Sequence, residues 1–308
     1  RKYSYHVIDQ ATFQGGYRKR KRTHCASIDQ NKIINKENLK LMSNDLLKGK
    51  KGIIFGALDE NSLAWKVAET YHAQGASIVL TNAPVALRFG QINVLSEKIG
   101  APVIPADATS NEDIAKLIDG SLEHFGGKID FVLHSIGMSV NMRKDKHYTD
   151  LNYEFMQKTF DISAISFHRI MHELYTKDAM ADWGSIVALT YIAAQRIFPD
   201  YSEMADAKAL LESFARNFGY HFGMRNKVRV NTISQSPTMT TAGSGVKGFK
   251  DFYSYADDMS PLGNASAEAF SDYCVTLFSD YTKYVTMQNL YHDGGFSSMG
   301  INPKVLEM

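Results

Sequence analysis

Short apolar segments alternate with longer, partly polar segments along most of the chain. The apolar segments predict strands at 51–57, 76–82, 102–107, 129–137, 184–191, 227–234 and 288–295. The longer segments predict helices at 62–75, 85–99, 111–125, one or two within 149–180, about 199–222 with Gly223 at the end, and 266–280. Short strands that alternate with helices of about 12 or more residues are typical of a parallel sheet with helices on both faces. The pattern therefore predicts one α/β domain over residues 42–308.

The ends of the predicted strands carry the residues of chemical interest. In a parallel α/β sheet, ligands bind outside the carboxyl ends of the strands, near the point where the strand order reverses. We therefore expect one binding rim formed by Gly56, Asn82–Ala83, Asp107, Ser135–Gly137, Thr190–Tyr191 and Ser234–Thr240.

Composition excludes several classes of protein. The chain has 308 residues, of which 44% are hydrophobic and 22% are charged, as expected for a globular protein. No apolar run approaches the roughly 18–20 residues that span a bilayer, so we expect no membrane segment. Cys25 and Cys274 lie far apart and form no disulfide framework, which fits the reducing cytoplasm. The histidines show no metal-ligand spacing, so we expect no metal site.

The charge is distributed unevenly. Residues 1–41 hold ten Lys/Arg and three Asp/Glu, whereas the remainder is acidic, and the net charge is +1. The stretch YRKRKRTH (17–24) permits binding of nucleic acid. However, the segment lacks periodicity and Met42 precedes a clear domain start. We therefore interpret residues 1–41 as a disordered extension or as upstream sequence outside the natural protein, and we expect no nucleic-acid partner.

The first strand-to-helix turn, GALDENSLAW (56–65), stands where a dinucleotide pyrophosphate meets helix N–H groups. The usual G-x-G-x-x-G is absent, so an ordinary turn with Ser62 as N-cap is an equal alternative. The second strand ends in TNAPVALR, without an acid for the adenosine ribose, and its first basic residue is Arg88. This favours an unphosphorylated cofactor slightly. Asp107 is placed to meet the adenine amino group.

Two tyrosines and a lysine are spaced in the stretch YIAAQRIFPDYSEMADAK (191–208). If a helix starts at Pro199, Tyr201 and Lys208 share one face about 10 Å apart along the axis. A phenol beside a nicotinamide can stabilise a developing oxyanion, and a lysine can hold the ribose hydroxyls. The common Tyr-x-x-x-Lys arrangement with an earlier serine is absent, because Ala205 and Ala188 occupy those positions.

The spacing Tyr-x9-Tyr-x6-Lys, with LHSIG (133–137) and DGGF (293–296), resembles the bacterial enoyl-acyl carrier protein reductases of dissociated fatty-acid synthesis. The resemblance covers about 46–300. It implies a Rossmann-type, doubly wound parallel sheet of about seven strands in the short-chain dehydrogenase/reductase superfamily. It also implies a homotetramer, a mobile substrate-binding loop at about 240–260, and reduction of trans-2-enoyl thioesters by NADH or NADPH. Hydride would reach the β-carbon while Tyr201 stabilises the enolate, so activity is expected to fall at high pH.

The resemblance also implies the roles of individual residues. The catalytic residues would be Tyr191, Tyr201 and Lys208, with Tyr191 either assisting or shaping the pocket. The substrate would contact both tyrosines, Ser139, Phe249 and Phe252, and acyl carrier protein would contact Lys247 and Lys250. The nucleotide would be bound by Gly56, Ser62, Leu63, Ala83, Asp107, Ala108, Ser135, Ile136, Gly137, Lys208, Pro237, Thr238, Met239, Thr240, Thr241 and Ala242.

Some positions depart from the family pattern. Ala83 stands where many relatives carry glutamine, and SPTMT (236–240) keeps only Pro237 and Thr240 of the usual motif. A solvated basic pair is the alternative for Lys247 and Lys250, and a structural role is expected for His134. Two other functions stay open: a reductase of the same fold that acts on a ketone or alcohol, and a nucleotide-binding sensor without catalysis.

Overall fold

Six parallel strands form one sheet in the structure, a computed structural model that describes residues 45–244 and 248–306. They are β1 (Lys51–Phe55), β2 (Ser77–Thr81), β3 (Ile129–His134), β4 (Met180–Thr190), β5 (Arg229–Gln235) and β6 (Asn289–His292). The order across the sheet is β2-β1-β3-β4-β5-β6. Because β2 and β3 lie on opposite sides of β1, the strand order reverses between β1 and β3. This confirms the predicted parallel α/β fold and places the expected binding rim.

Helices surround the sheet. The α-helices are α1 (Leu63–Ala73), α2 (Pro84–Phe89), α3 (Ile92–Ile99), α4 (Asn111–Phe125), α5 (Val140–Arg143), α6 (Tyr153–Phe160), α7 (Ser166–Thr176), α8 (Met204–Asn226), α9 (Thr241–Ser244), α10 (Phe249–Met259), α11 (Ala267–Phe278) and α12 (Pro303–Leu306). A π-helical turn joins α6 to α7 at Asp161–Ile165, and 3-10 turns occupy Tyr148–Asp150, Ile192–Ala194, Pro199–Tyr201, Asp280–Thr282 and Phe296–Ser298.

Both faces of the sheet are buried beneath helices. Ile53 in β1 packs in a cluster with Leu117 of α4 and Leu211 of α8. The next residue, Ile54, belongs to a second cluster that contains Trp65 of α1. Successive side chains of a strand point to opposite faces, so β1 contributes to two apolar cores. This explains why the strands read as continuous apolar runs.

Capping residues define both ends of α4. The predicted helix 111–125 has the predicted bounds. Ser110 Oγ accepts a hydrogen bond from Asp113 N at its start, and Gly126 adopts a left-handed conformation after its end. An N-cap hydroxyl and a C-terminal glycine satisfy backbone groups that the helix leaves unpaired.

The predicted third strand, 102–107, was wrong, so the described sheet has six strands rather than about seven. Leu80 and Val103 form only an isolated parallel bridge. Pro102 and Pro105 have no N–H to donate, so the segment follows β2 without completing a ladder. Leu80 N donates to Pro102 O at 2.9 Å, and Ile104 N donates to Leu80 O at 3.0 Å.

Two predicted helices also differ from the structure. The helix predicted at 85–99 is divided at Gly90, which adopts an extended conformation between α2 and α3. The predicted end at Gly223 was wrong, because α8 continues to Asn226 and Lys227 adopts the left-handed conformation that ends it. Positive φ at a lysine is uncommon, which is why glycine was the expected terminator.

Several predictions lie outside the described residues. These are the interpretation of residues 1–41, with its possible nucleic-acid site, and the contact assigned to Lys247. Among the residues that the structure describes, no helix has both the length and the apolar character needed to cross a bilayer.

Candidate active site

A large cavity lies at the carboxyl ends of the strands, beside the reversal of strand order. Its volume is about 1060 Å³. It is lined by most of the residues predicted to bind nucleotide or substrate, namely Gly56, Ser62, Leu63, Ala83, Asp107, Ala108, Ser135, Ile136, Gly137, Ser139, Tyr191, Tyr201, Lys208, Pro237, Thr238, Thr240, Thr241, Phe249 and Phe252. Met239 is not among the lining residues, and its side chain is exposed. The side chain of Ala242 lies outside the described part of the chain.

Gly56 directly follows β1 and lines the cavity. Its φ is +94°, and a Cβ at this position would lie 2.0 Å from Ser135 O. Both observations exclude a larger residue without a backbone shift. The turn after β1 and the end of β3 therefore approach each other closely, at the point where a nucleotide would cross the sheet.

The start of α1 leaves its first N–H groups available to a ligand. Ser62 stands at the N-cap position, but its side chain accepts no hydrogen bond from the helix. Its Oγ instead donates to Asp59 O at 2.7 Å and accepts from Leu58 N at 3.2 Å. The hydroxyl thus organises the turn rather than capping the helix. An anion can approach uncapped N–H groups at the positive end of a helix.

The part of the cavity where adenosine is expected is lined by residues of the loops after β2 and at 105–110. Asp107 is exposed, and its Oδ1 accepts from Thr109 N at 2.9 Å and from Thr109 Oγ1 at 2.8 Å. Asn82 links two loops, because its Nδ2 donates to Ala57 O at 3.1 Å and its Oδ1 accepts from Ala83 N at 2.9 Å. Asp107 and Ala83 are therefore held by local hydrogen bonds at the cavity wall.

The helix expected to join Tyr201 to Lys208 is broken, and the argument from helical spacing was wrong. Pro199–Tyr201 form a 3-10 turn, Ser202 has φ +50° and ψ −149°, and α8 begins only at Met204. Positive φ at Ser202 cannot continue a right-handed helix. The two side chains nevertheless line the same cavity. Their juxtaposition comes from the tertiary fold around the break.

Lys208 is buried between the carboxyl ends of β3 and β4. Its Nζ donates to Leu189 O at 2.8 Å and to Ile136 O at 3.4 Å. Burial lowers the pKa of Lys208 to about 8, and the charge of Glu212 opposes this change. An ammonium has three donors, so one stays available to a ligand in the cavity.

Tyr191 and Tyr201 form the apolar end of the cavity. Their ring centroids lie 5.0 Å apart, and Phe198 and Phe252 lie 5.5 and 6.3 Å from the Tyr191 ring. The Tyr191 hydroxyl is buried and has no hydrogen-bond partner among the described residues. Burial raises the pKa of both tyrosines, and the charges of Tyr201 and Asp293 raise that of Tyr191 further. Both phenols therefore keep their protons near neutral pH.

Ser139 lines the cavity, but its hydroxyl is already engaged. Its Oγ donates to Glu203 Oε1 at 2.7 Å and accepts from Met142 N at 3.0 Å. Sequence reasoning missed Glu203, and it also missed Phe198. Glu203 gave no local signal because its partners Ser139 and Thr159 lie 64 and 44 residues away.

His134 is a buried strand-end histidine, as expected. Its Nε2 lies 3.1 Å from Ser166 Oγ, whose own proton is donated to Ile162 O at 2.6 Å. His134 therefore donates through Nε2. Burial and the charge of Lys208 lower the pKa of His134 to about 3, so the ring stays neutral.

The segment after β5 borders the cavity. Gly243 N donates to Thr240 Oγ1 at 3.0 Å, and Phe249 and Phe252 of α10 line the wall. Lys250 is exposed on α10. This part of the chain brings two aromatic rings close to the tyrosines.

A family model described as Enoyl-(Acyl carrier protein) reductase matches residues 56–297. The chain is 33% identical over 259 residues to enoyl-[acyl-carrier-protein] reductase [NADH] 1 of Rhizobium meliloti, covering 83% of this chain and 93% of that protein. It is 32% identical over 263 residues to the enoyl-[acyl-carrier-protein] reductase [NADH] FabI of Rickettsia felis, covering 85% and 99%.

Solved structures agree with this match. The FabI–NADH complex from Alistipes finegoldii has 63% sequence identity and a TM-score of 0.83, covering 84% of this chain and 92% of that one. The Bacillus cereus enoyl-acyl carrier protein reductase with NADP+ and an indole naphthyridinone has 29% identity and a TM-score of 0.77, covering 83% and 99%. The chain belongs to the enoyl-(acyl carrier protein) reductase family.

Proposed function

We propose that the chain reduces the trans-2 double bond of enoyl thioesters carried by acyl carrier protein, with NADH as the reductant, in dissociated fatty-acid synthesis. The observation that carries this proposal is the convergence of Tyr191, Tyr201 and Lys208 on one cavity at the reversal of strand order. Two relatives named above are NADH-dependent enoyl reductases by name, and this supports the choice of reaction and reductant.

The cavity fits a dinucleotide together with an acyl chain. Its volume of about 1060 Å³ stands at the upper end of the range of about 300–1,000 Å³ for small-molecule sites. Gly56 permits close approach at one end, and the uncapped start of α1 suits a pyrophosphate. Lys208 offers a buried donor for ribose hydroxyls. These features suit the phosphate and sugar portions of NADH.

In this proposal, bound NADH supplies the hydride that reduces the β-carbon. Negative charge would then develop on the thioester oxygen, where the Tyr201 hydroxyl would donate a hydrogen bond to it. A proton from solvent would add to Cα of the enolate and complete the saturated thioester. The surrounding aromatic rings are apolar, and a low local dielectric strengthens such an interaction. Because burial keeps Tyr201 protonated, the donor is present without a prior proton transfer. Losing such a donor typically costs about 10²–10³ in rate.

The partner and the assembly extend the same proposal. Lys250, exposed on α10 beside the aromatic wall, would contact the acidic carrier protein, with Lys247 as its neighbour in the chain. The assembly would be a homotetramer in the cytoplasm. Exposed aromatic residues such as Tyr281 and Tyr284 support contact between copies, since exposed apolar patches mark interaction sites. Light scattering on the purified chain tests the tetramer.

The test is oxidation of NADH in the presence of a crotonyl thioester. Tyr201→Phe should lower kcat with little change in the Kd of NADH, whereas Lys208→Ala should weaken NADH binding as well. Tyr220→Phe, an exposed tyrosine on α8, is the matched control and should retain full activity. Parental turnover by Tyr201→Phe would exclude this residue as the oxyanion donor. Turnover of a ketone rather than the enoyl thioester would contradict the proposed reaction.

A further inference from the structure

Glu203 is a buried carboxylate held by three hydroxyl groups. Its side chain is 0% exposed. Its Oε1 accepts from Ser139 Oγ and Thr159 Oγ1, each at 2.7 Å, and its Oε2 accepts from Ser202 Oγ at 2.6 Å. Among the residues that the structure describes, no Lys, Arg or His forms an ion pair with it. Three hydroxyl donors compensate the carboxylate for the loss of water, which a buried charge without a paired cation requires.

The hydroxyl protons point toward the carboxylate. Ser139 Oγ already accepts from Met142 N at 3.0 Å, so its single proton serves Glu203. Thr159 Oγ1 also lies 2.9 Å from Phe155 O, but the shorter contact to a charged acceptor is the stronger one. Burial raises the pKa of Glu203, and the hydrogen bonds from Ser202, Thr159 and Ser139 outweigh it and hold that pKa below its usual value. The group is therefore an anion near neutral pH.

This carboxylate occupies the break between Tyr201 and Lys208. Ser202 has φ +50° and ψ −149°, a conformation that residues other than glycine rarely adopt and that persists only where the surroundings impose it. The Ser202 hydroxyl donates to Glu203, the next residue, which is tied to α6 through Thr159 and to the start of α5 through Ser139. Three segments thus meet at one carboxylate.

We infer that Glu203 is a positioning residue whose carboxylate fixes the break in the chain and thereby sets where the Tyr201 hydroxyl lies relative to Lys208. The inference rests on the proposed enoyl reductase function. Tyr201 stands two residues before Glu203, and no continuous helix holds the phenol in register with the ammonium. A displacement of about 1 Å at a catalytic group can cost about 10²-fold in rate. Because the Glu203 carboxylate holds the chain at this break, its loss should lower the rate.

The first experiment is a double-mutant cycle in the full chain, with NADH and a crotonyl thioester. Glu203→Gln keeps the shape but replaces one acceptor oxygen with a donor. It should lower kcat by about tenfold or more and change the Kd of NADH by less than about twofold, because Lys208 is untouched. In a Tyr201→Phe background it should cause no further loss, since its effect passes through the Tyr201 hydroxyl. If Glu203→Gln lowered kcat by the same factor in the wild-type and Tyr201→Phe backgrounds, the two residues would act independently and the inference would be overturned.

The second experiment avoids any change in the carboxylate itself. Thr159 contacts Glu203 without lining the cavity. Thr159→Val removes its hydroxyl and should lower kcat, whereas Thr159→Ser retains the hydroxyl and should restore it. Ser121→Ala is the matched control, since its buried hydroxyl bonds to Leu117 O and neither residue lines the cavity. It should lower the melting temperature and leave kcat unchanged.

These variants separate the possible failures. If Thr159→Val loses stability as Ser121→Ala does but retains parental kcat, Glu203 serves the fold alone and the inference is wrong. If Glu203→Gln does not fold, the comparison of Thr159→Val with Thr159→Ser still decides the question. An unsubstituted chain that binds NADH but reduces no enoyl thioester would overturn the proposed function, and the inference would fall with it.

Discussion

Replacing Lys208 with methionine should change how the stability of the protein depends on pH. The Lys208 side chain is 7% exposed, and burial lowers its pKa from the ordinary 10.5 to about 8 against the opposing charge of Glu212. Folding therefore favours the neutral amine over the ammonium. The gap between the two pKa values corresponds to about 3 kcal/mol of unfolding free energy.

The direction in which stability changes with pH depends on which state of the protein, folded or unfolded, binds more protons. Below pH 8 the lysine is charged in both the folded and the unfolded chain, so the folded state carries the whole destabilisation of about 3 kcal/mol. Between pH 8 and 10.5 the unfolded chain binds more protons, so stability rises with pH. Lys208→Met cannot titrate and lacks this rise. The stability of the wild type relative to the variant should therefore increase by about 3 kcal/mol from neutral pH to above 10.5.

Urea denaturation of both proteins across this pH range measures the difference directly. Other titrating groups, including the buried tyrosines, are common to both proteins and cancel in the difference. Lys116→Met is the control, because Lys116 is exposed and pairs with Glu112 on the surface of α4. The stability difference between Lys116→Met and the wild type should stay nearly constant across this pH range, because solvent screens an exposed charge. A pH-independent difference for Lys208→Met would refute the claim that the ammonium is held in a desolvated site.

Three further outcomes are expected. Tyr201→Phe should lower kcat for a crotonyl thioester by about 10²–10³, measured by NADH oxidation beside Tyr220→Phe, and a loss below about threefold would contradict the assigned donor. Gly56→Ala should weaken NADH binding in a titration and destabilise the protein by more than about 1 kcal/mol, because a Cβ would lie 2.0 Å from Ser135 O; unchanged affinity would show that the turn can relax. Ser110→Ala should cost about 1 kcal/mol in urea denaturation with kcat unchanged, and an altered kcat would show that α4 positions the site.

Short-range signals account for what could be predicted from the sequence. The apolar runs located the strands of the described sheet, and the bounds predicted for the helix 111–125 agree with α4. The structure shows that Ser110 and Gly126 cap this helix, and caps act within a few residues. The rule that ligands bind at strand ends grouped Gly56, Asp107 and Tyr191 correctly around one cavity. Because the carboxyl ends of parallel strands lie at the same edge of a sheet, residues at predicted strand ends can be assigned to one site without knowing how the core packs.

Predictions failed where distant contacts decide the local conformation. The helix through Tyr201 and Lys208 was expected because nothing in the stretch resembles a helix breaker. The break at Ser202 is imposed by Glu203, whose other partners lie far along the chain. The seven-residue spacing therefore selected two side chains that do line one cavity, but for a wrong geometric reason. The family resemblance identified that pair independently of the geometry.

The break at Ser202 also separates two tasks along the backbone. The phenol stands on a short turn and the ammonium on a long helix, so neither is obliged to follow the other when its surroundings change. In the proposed function, substitutions that reshape the acyl end would move the turn while Lys208 keeps its place at the ribose. Thioester preference would then change without loss of nucleotide binding.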